Sequence, residues 1–268
     1  MKLAIFSDIH YCPDISQGFH NGFQRKLVEH SLPIMNKLIN EINTNNFDAA
    51  ICLGDYIQDV FDRGQDIVNL TYINKLLDDI KTPLYKVPGN HDLRTLTMED
   101  IKKVFGYENL TYSKDIDGYH LIFLSVTADY GKSTDHGGID RTQYLSNEDL
   151  KWLEDDLNTN ELPAIIFTHF GVAEDSMQGN FWFNIHTENA LLKNRKELKS
   201  IIEDDKNILG VFSGHQHWTK DINENGVQYH ILGSLTENLN NDGIPDGVWL
   251  EVDIVGTDLN IIEHHIKI

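Results

Sequence analysis

The chain has 268 residues, 40% of them apolar, with 42 acidic against 22 basic side chains and a net charge of −20 at pH 7. That is enough for one substantial core, and the sequence reads as a single domain over 1–268. The acidity argues against polynucleotide or anionic-membrane binding, since phosphate contact calls for a basic patch, and two cysteines, Cys12 and Cys52, make no disulfide framework. The first strand, Lys2–Ser7, begins at once, so no signal peptide is expected. No apolar run of about 20 residues suggests a membrane span, so cytoplasm is the default compartment. A long helix is expected at Phe23–Asn43, kinked or interrupted by Pro33. Strand Ala49–Leu53, helix Asp66–Ile80, strand Leu84–Val87 and helix Met98–Phe105 follow. Next come strand His120–Val126, helix Asn147–Leu157, strand Ala164–Thr168, helix Thr187–Glu203 and strands Leu209–Ser213 and Val227–Leu232. A final hairpin pairs Val248–Val255 with Leu259–Lys267 around Gly256-Thr-Asp258. The alternation argues for an α/β fold. Strands as apolar as Ala164-Ile-Ile-Phe-Thr168 suit a sheet covered on both faces.

Five short boxes stand where predicted strands run out: Asp8-Ile-His10, Gly54-Asp55, Gly89-Asn90-His91-Asp92, His169 and Gly214-His215-Gln216-His217. Each alone has an ordinary reading as a turn or a structural histidine. Together they supply ligands for two metal ions. Carboxylate and imidazole suit Mn, Fe, Zn and similar ions, and a two-metal hydrolytic site clamps the attacking and leaving oxygens. Two close cations need an anion between them, and Asp55 is the expected bridge. Asp8 and His10, two apart on an extended segment, project to one side, as do His215 and His217. Asn90 can offer a neutral carbonyl oxygen. A hydroxide held between the metals would attack phosphorus. His91 is the expected general acid for the leaving group, with Asp92 holding its ring.

The ordered set resembles the calcineurin-like metallophosphoesterase superfamily over most of the chain. That resemblance implies a four-layer α/β/β/α sandwich with two mixed sheets and the site on loops at the strand C-terminal ends. It implies Asp8, His10, Asp55 and His217 at one metal, Asp55, Asn90, His169 and His215 at the other, and His91 as acid. Two positions depart from the common pattern. Gln58 stands where many relatives have a second Asp, with Asp59 the nearest acid, and Phe170 follows His169 where many have another His.

Three segments outside the boxes are expected to shape the pocket: Tyr11 to Gly22 with His20, Ala128 to Arg141 with His136, and Gly171 to Asn184 with Met177 and Phe181-Trp182-Phe183. Their aromatics could stack on a base or pack a loop on the core. Arg94 could meet a substrate phosphate. Asn90, Arg94, His20 and Trp182 are thus the candidate substrate contacts. The stretches Gly18–Arg25, Gly138–Leu153 and Asn189–Arg195 resemble, more loosely, the branch of class III cyclic nucleotide phosphodiesterases and manganese-dependent ADP-ribose/CDP-alcohol diphosphatases. A small phosphorylated or nucleotide substrate, with a diester or diphosphate bond, is the implied target. A phosphomonoesterase on the same metals is the alternative, and a non-catalytic scaffold is disfavoured because no ligand is missing.

Overall fold

A computed structural model describes residues 1–128 and 143–268; the expected pocket segment from Asp129 to Arg141, with His136, lies outside the described residues. Two mixed sheets dominate. The first runs, edge to edge, Asp258–His265, Val248–Val255, Lys2–Phe6, Ala49–Cys52 and Leu84–Lys86. Its last three strands are parallel, and the terminal hairpin adds antiparallel. The second runs Lys220–Glu224, Val227–Ile231, Ile208–Ser213, Ala164–Thr168, Tyr119–Leu124 and Tyr112–Ile116, with four parallel strands flanked by antiparallel edges.

Strand alternation explains the layering. Leu3 and Ile5 pack between the sheets with Ile51, Ile165, Phe167 and Phe212. Ala4 and Phe6, one residue out of phase, join the cluster formed with the buried stripes of helices Ser31–Thr44 and Arg63–Leu77, including Ile34, Leu38, Leu70 and Ile73. An aromatic ladder crosses the second sheet on the inner side: Tyr112–Phe123, Phe123–Phe167 and Phe167–Phe212 stack with centroids 4.7, 5.2 and 5.6 Å apart. Helices cover the outer faces, giving the expected α/β/β/α sandwich.

Two expected helices begin later than their periodicity suggests. Phe23–Asn43 is instead a tight hairpin, Phe19–His20 with Phe23–Gln24, then a 3₁₀ turn, with the α-helix confined to Ser31–Thr44. Pro33 lies in the first turn of that helix, where the missing N–H has no intrahelical partner to lose, so it marks the start and not a kink. Likewise Thr187–Glu203 holds only a short 3₁₀ turn at Thr187–Asn189 before the helix Arg195–Asp204. Between them Leu191 bridges to Gly171, so tertiary pairing displaces helix. The polar edge strands Tyr112–Ile116 and Lys220–Glu224 were not expected from their sequence.

The parallel strands end on one side of the sandwich, and every box follows one of them. Backbone bonds zip the first two loops together: Asp8 N–H to Gly54 O at 3.0 Å and His10 N–H to Asp55 O at 3.0 Å. Another joins two loops of the second sheet, from Gly214 N–H to His169 O at 3.0 Å, and the Ser234 hydroxyl reaches across the sheets to Asp8 O at 2.9 Å.

Candidate active site

The box residues converge into two overlapping groups. Asp8, His10, Asp55 and His217 bring one potential ligand atom each within 4.8 Å of one another, and Asp55, His169 and His215 do the same. Asp55 belongs to both. Its Oδ2 lies 3.7 Å from His10 Nε2 and 3.5 Å from His169 Nε2, while Oδ1 accepts the His91 backbone N–H at 2.8 Å. Asn90 Oδ1 is 3.1 Å from His169 Nε2, on the second group's side.

The backbone is bent to achieve this. Asp8, His10, Asp55, His215 and His217 all have φ between +47° and +67°, the left-handed region that non-glycine residues seldom occupy. Such conformations persist where surrounding structure over-determines them, and they cluster at functional sites. The glycines of the boxes permit the close approach. A Cβ at Gly89 would overlap Asp55 Oδ1, and one at Gly214 would overlap the Ser7 hydroxyl.

The residues fit a pair of metal ions at the level of individual ring nitrogens. His169 Nδ1 is committed to Leu53 O at 2.7 Å, so Nε2 is the nitrogen that faces Asp55. His217 Nδ1 is held by Glu237 Oε2 at 2.6 Å, leaving Nε2 toward Asp8 at 3.1 Å. His215 uses Nε2 on Asn189 O at 2.9 Å, and its buried Nδ1 has no partner. Two imidazole nitrogens, His10 Nε2 and His217 Nε2, face each other at 3.0 Å among carboxylates. An orphaned lone pair and converging ring nitrogens are what a cation would satisfy.

Electrostatics agree with that donor set. Burial raises the Asp8 carboxyl, but the charge of His217 and hydrogen bonds from His10 and His217 outweigh it and hold it well below its ordinary range. Asp55 is held down in the same way, against burial, by His169 and His91. Burial opposes the charge on His169, yet Asp55 lifts it to about 9. Burial and the His169 charge push His215 down to about 3, so its free Nδ1 keeps a lone pair at neutral pH.

His91 requires a correction. Asp92 does not hold its ring. The Asp92 carboxylate accepts four backbone N–H groups, from Gly89 at 2.8 Å, Asp55 at 3.0 Å, Tyr56 at 3.0 Å and Ile57 at 3.2 Å, and so clamps two ligand loops together. The acid at the ring is Asp59, whose Oδ1 lies 2.6 Å from His91 Nδ1 and 2.9 Å from Arg94 Nη1. Its place four residues after Asp55 put it within reach; Asp92 is adjacent to His91, but its side chain turns to the backbone instead.

The site opens into a cleft of about 390 Å³ lined by Asp55, Asn90, His91, His215 and His217 and also by His20, Arg94 and Trp182. Trp182 donates Nε1–H to Glu237 at 3.2 Å and packs edge-on to His20 with centroids 5.0 Å apart. Elsewhere in its loop, Met177 packs with Leu191 and serves the fold, whereas Phe183 lines the cleft and lies 4.9 Å, centroid to centroid, from the His215 ring. Cys12 and Cys52 are both buried and free. His230 stacks on Phe212 and bonds Asp221, and His264 stacks on Trp249, all away from the cleft.

Two further residues at the site, one lining the cleft and one behind it, carried no sequence motif. Glu237 is 1% exposed and meets three segments at once: His217, Arg25 Nε at 2.5 Å and Trp182. Lys26 also reaches the site, and burial pulls its ammonium down to about 8. One signal was available for Glu237: it follows the strand Val227–Ile231, which ends on the same edge as the strands before the boxes.

Residues 1–219 match the calcineurin-like phosphoesterase family, and the chain belongs to it. That family is one of phosphoester hydrolases. A protein of Fibrobacter succinogenes named as a probable cyclic nucleotide phosphodiesterase is 25% identical over 153 residues, covering 55% of this chain. The chain spans about half the length of that relative, 50% of which is covered. Among solved structures, a dimetal phosphatase from Danio rerio superimposes with a TM-score of 0.72 at 14% identity, over 98% of both chains. The protein TT1561 of Thermus thermophilus does so with a TM-score of 0.58 at 14% identity, over 97% of both. These likenesses establish the shared fold. No helix among the described residues is long and apolar enough to cross a membrane.

Proposed function

We propose that this chain is a two-metal hydrolase of phosphodiester or diphosphate bonds in small phosphorylated or nucleotide substrates. The observation that carries the reading is the shared position of Asp55, one carboxylate common to two groups of buried ligands. Asp8, His10, Asp55 and His217 would hold one ion, and Asp55, Asn90, His169 and His215 the other. Mn, Fe and Zn all suit such oxygen and imidazole donors. Bound there, the ions would supply an activated water and neutralise phosphoryl charge.

The chain's own groups account for the rest. Leu53 O and Glu237 fix the His169 and His217 rings, so neither turns away when a ligand leaves. Asn90 faces the cleft and can orient a phosphoryl oxygen. His91, backed by Asp59, is the residue we assign to protonating the departing oxygen, and general acids of this kind contribute about 10²–10⁴-fold. The faces of Trp182 and His20 on the wall suit a base or another flat group, and Arg94 brings positive charge to an acidic protein where an anion must enter. Nothing in this assignment calls for a polynucleotide or a membrane surface.

The test is direct. Chelator-stripped protein, reloaded with Mn, is assayed on a phosphodiester, a phosphomonoester and a nucleotide diphosphate in parallel. Faster turnover of the diester or diphosphate is expected. Faster monoester turnover would replace this reading by a phosphatase, and two bound ions without any turnover would count against hydrolysis of these esters altogether.

A further inference from the structure

Among the described residues, the proposal above leaves one cation of the cleft, Lys26, without a task. Lys26 follows the Phe19–Gln24 hairpin, pinned through its backbone N–H to Gly18 O at 3.1 Å and a bridge to Glu237. It is only 6% exposed and lines the cleft. Its Nζ lies 2.8 Å from His91 Nε2 and 2.9 Å from Gln58 Oε1, beneath the Trp182 ring at 5.3 Å from its centroid. The remaining neighbour, His10 Nδ1, is 3.5 Å away.

A buried ammonium is normally paired with a carboxylate. Among the described residues none forms an ion pair with Lys26, and the acids around it are engaged elsewhere. Asp59 serves His91 and Arg94, Glu237 serves Arg25, His217 and Trp182, and Asp55 stands among the metal-ligand rings. The two near partners of Nζ are an amide oxygen and a ring nitrogen, neither of them an anion. An ammonium has three donors. The third has only the long contact to His10 Nδ1 at 3.5 Å, which an anion entering the cleft can replace.

His91 fixes where that anion's oxygen would be. Asp59 occupies Nδ1, and a carboxylate at 2.6 Å requires Nδ1 to be the donor. Nε2, the nitrogen left for the departing oxygen, is the one Lys26 covers. An oxygen that reaches Nε2 comes within hydrogen-bond reach of Nζ as well. Building on the role assigned to His91 above, we propose that Lys26 donates a hydrogen bond to the departing ester oxygen and stabilises the negative charge that grows there. Lys26 is then a second catalytic residue on the leaving side. No bond to Lys26 forms or breaks; the ammonium holds the oxygen while its bond to phosphorus lengthens.

Leaving-group dependence separates this role from simple phosphate binding. The Mn-loaded full chain is assayed on the p-nitrophenyl and phenyl esters of thymidine 5′-phosphate, with Lys26→Met, Lys26→Arg and His91→Ala beside the wild type. A donor to developing charge is worth about 10²–10³-fold in kcat. Lys26→Met should lose on that order with the poorer phenolate leaving group, and under about threefold with p-nitrophenolate, which needs little help. Lys26→Arg, which keeps a cationic donor, should recover a large part of the phenyl-ester rate. Metal content, read by elemental analysis, should match the wild type in both Lys26 variants. An equal loss on both esters would overturn the proposal, as would a fall in metal content that tracks the fall in rate. Should Lys26→Met not fold, a Lys26→Arg protein with equal losses on the two esters would overturn it too. If His91→Ala discriminates between the esters and Lys26→Met does not, the role of Lys26 fails and that of His91 stands. If neither does, the assignment of His91 fails with it.

Discussion

The floor of the cleft and its rim differ in what holds them. The floor residues, from Asp8 to His217, each follow a parallel strand by a few positions, so the sheets and inter-loop backbone bonds place them. The rim residues Lys26, Arg94 and Trp182 sit on connecting segments, and their polar ends are held by side chains of the floor or its supports: Lys26 on His91, Arg94 on Asp59, Trp182 on Glu237. Chemistry that must be the same for every substrate is thus anchored in backbone. Contacts that face a substrate are secured through longer side chains, on loops that tolerate change.

Breaking the floor should have the largest effect. Asp55→Asn removes the anion common to both ligand groups, and turnover of any phosphoester should fall by on the order of 10³-fold or more, with metal content falling alongside. Turnover at the wild-type level by a scrupulously purified Asp55→Asn protein would show that the floor does not depend on a bridge. An intermediate effect is expected where floor and rim meet. Glu237→Gln should weaken metal binding by about 10–100-fold, as loss of a ligand's orienting carboxylate does, and it should loosen Trp182. Chelator competition measures the first, and unchanged affinity would mean that His217 is positioned without Glu237.

The smallest effect lies in pH. In metal-stripped protein, burial works against a charged His169 but Asp55 raises it to about 9, above its ordinary value of 6.5. The folded state then binds the proton more tightly than the unfolded state. The resulting stability is complete below about 6.5 and is lost as pH rises to about 9. Denaturant midpoints of stripped protein should fall across that window, while Mn-loaded protein should show little of the fall. Identical profiles with and without metal would separate His169 from the ion site.

The floor was legible in sequence because its spacing repeats a fixed geometry of strand, glycine and ligand. The interior strands were legible because residues such as Ala164–Thr168 are apolar on both faces. The edge strands were not: Tyr-Ser-Lys-Asp-Ile at 112–116 and Lys-Asp-Ile-Asn-Glu at 220–224 are too polar to stand out as strands, although each forms a hairpin with the strand that follows it, through Asp117-Gly118 and Asn225-Gly226. These misses share a readable cue with a third hairpin. Asn21-Gly22, both at positive φ, is the two-residue turn that favours a hairpin, and weighing it above the helical period would have placed Lys26 off a helix face. Glu237 and Asp59 lie close to strand ends, but nothing local says which histidine each will hold. Asp92 shows the converse: adjacency to His91 suggested a partner, and four backbone N–H groups won the carboxylate instead.

The left-handed backbone at Asp8, His10, Asp55, His215 and His217 has a consequence for anyone who selects this protein for heat resistance. Each such residue costs about 1 kcal/mol or more relative to glycine, so the five together are comparable to a good part of a typical net folding stability of about 5–15 kcal/mol. Glycine substitutions at these positions are therefore among the more accessible ways to raise the melting temperature, and every one of them deletes a proposed metal ligand. A screen that rewards survival at high temperature alone will drift toward an inert scaffold, and activity has to be selected in the same round to keep the site intact.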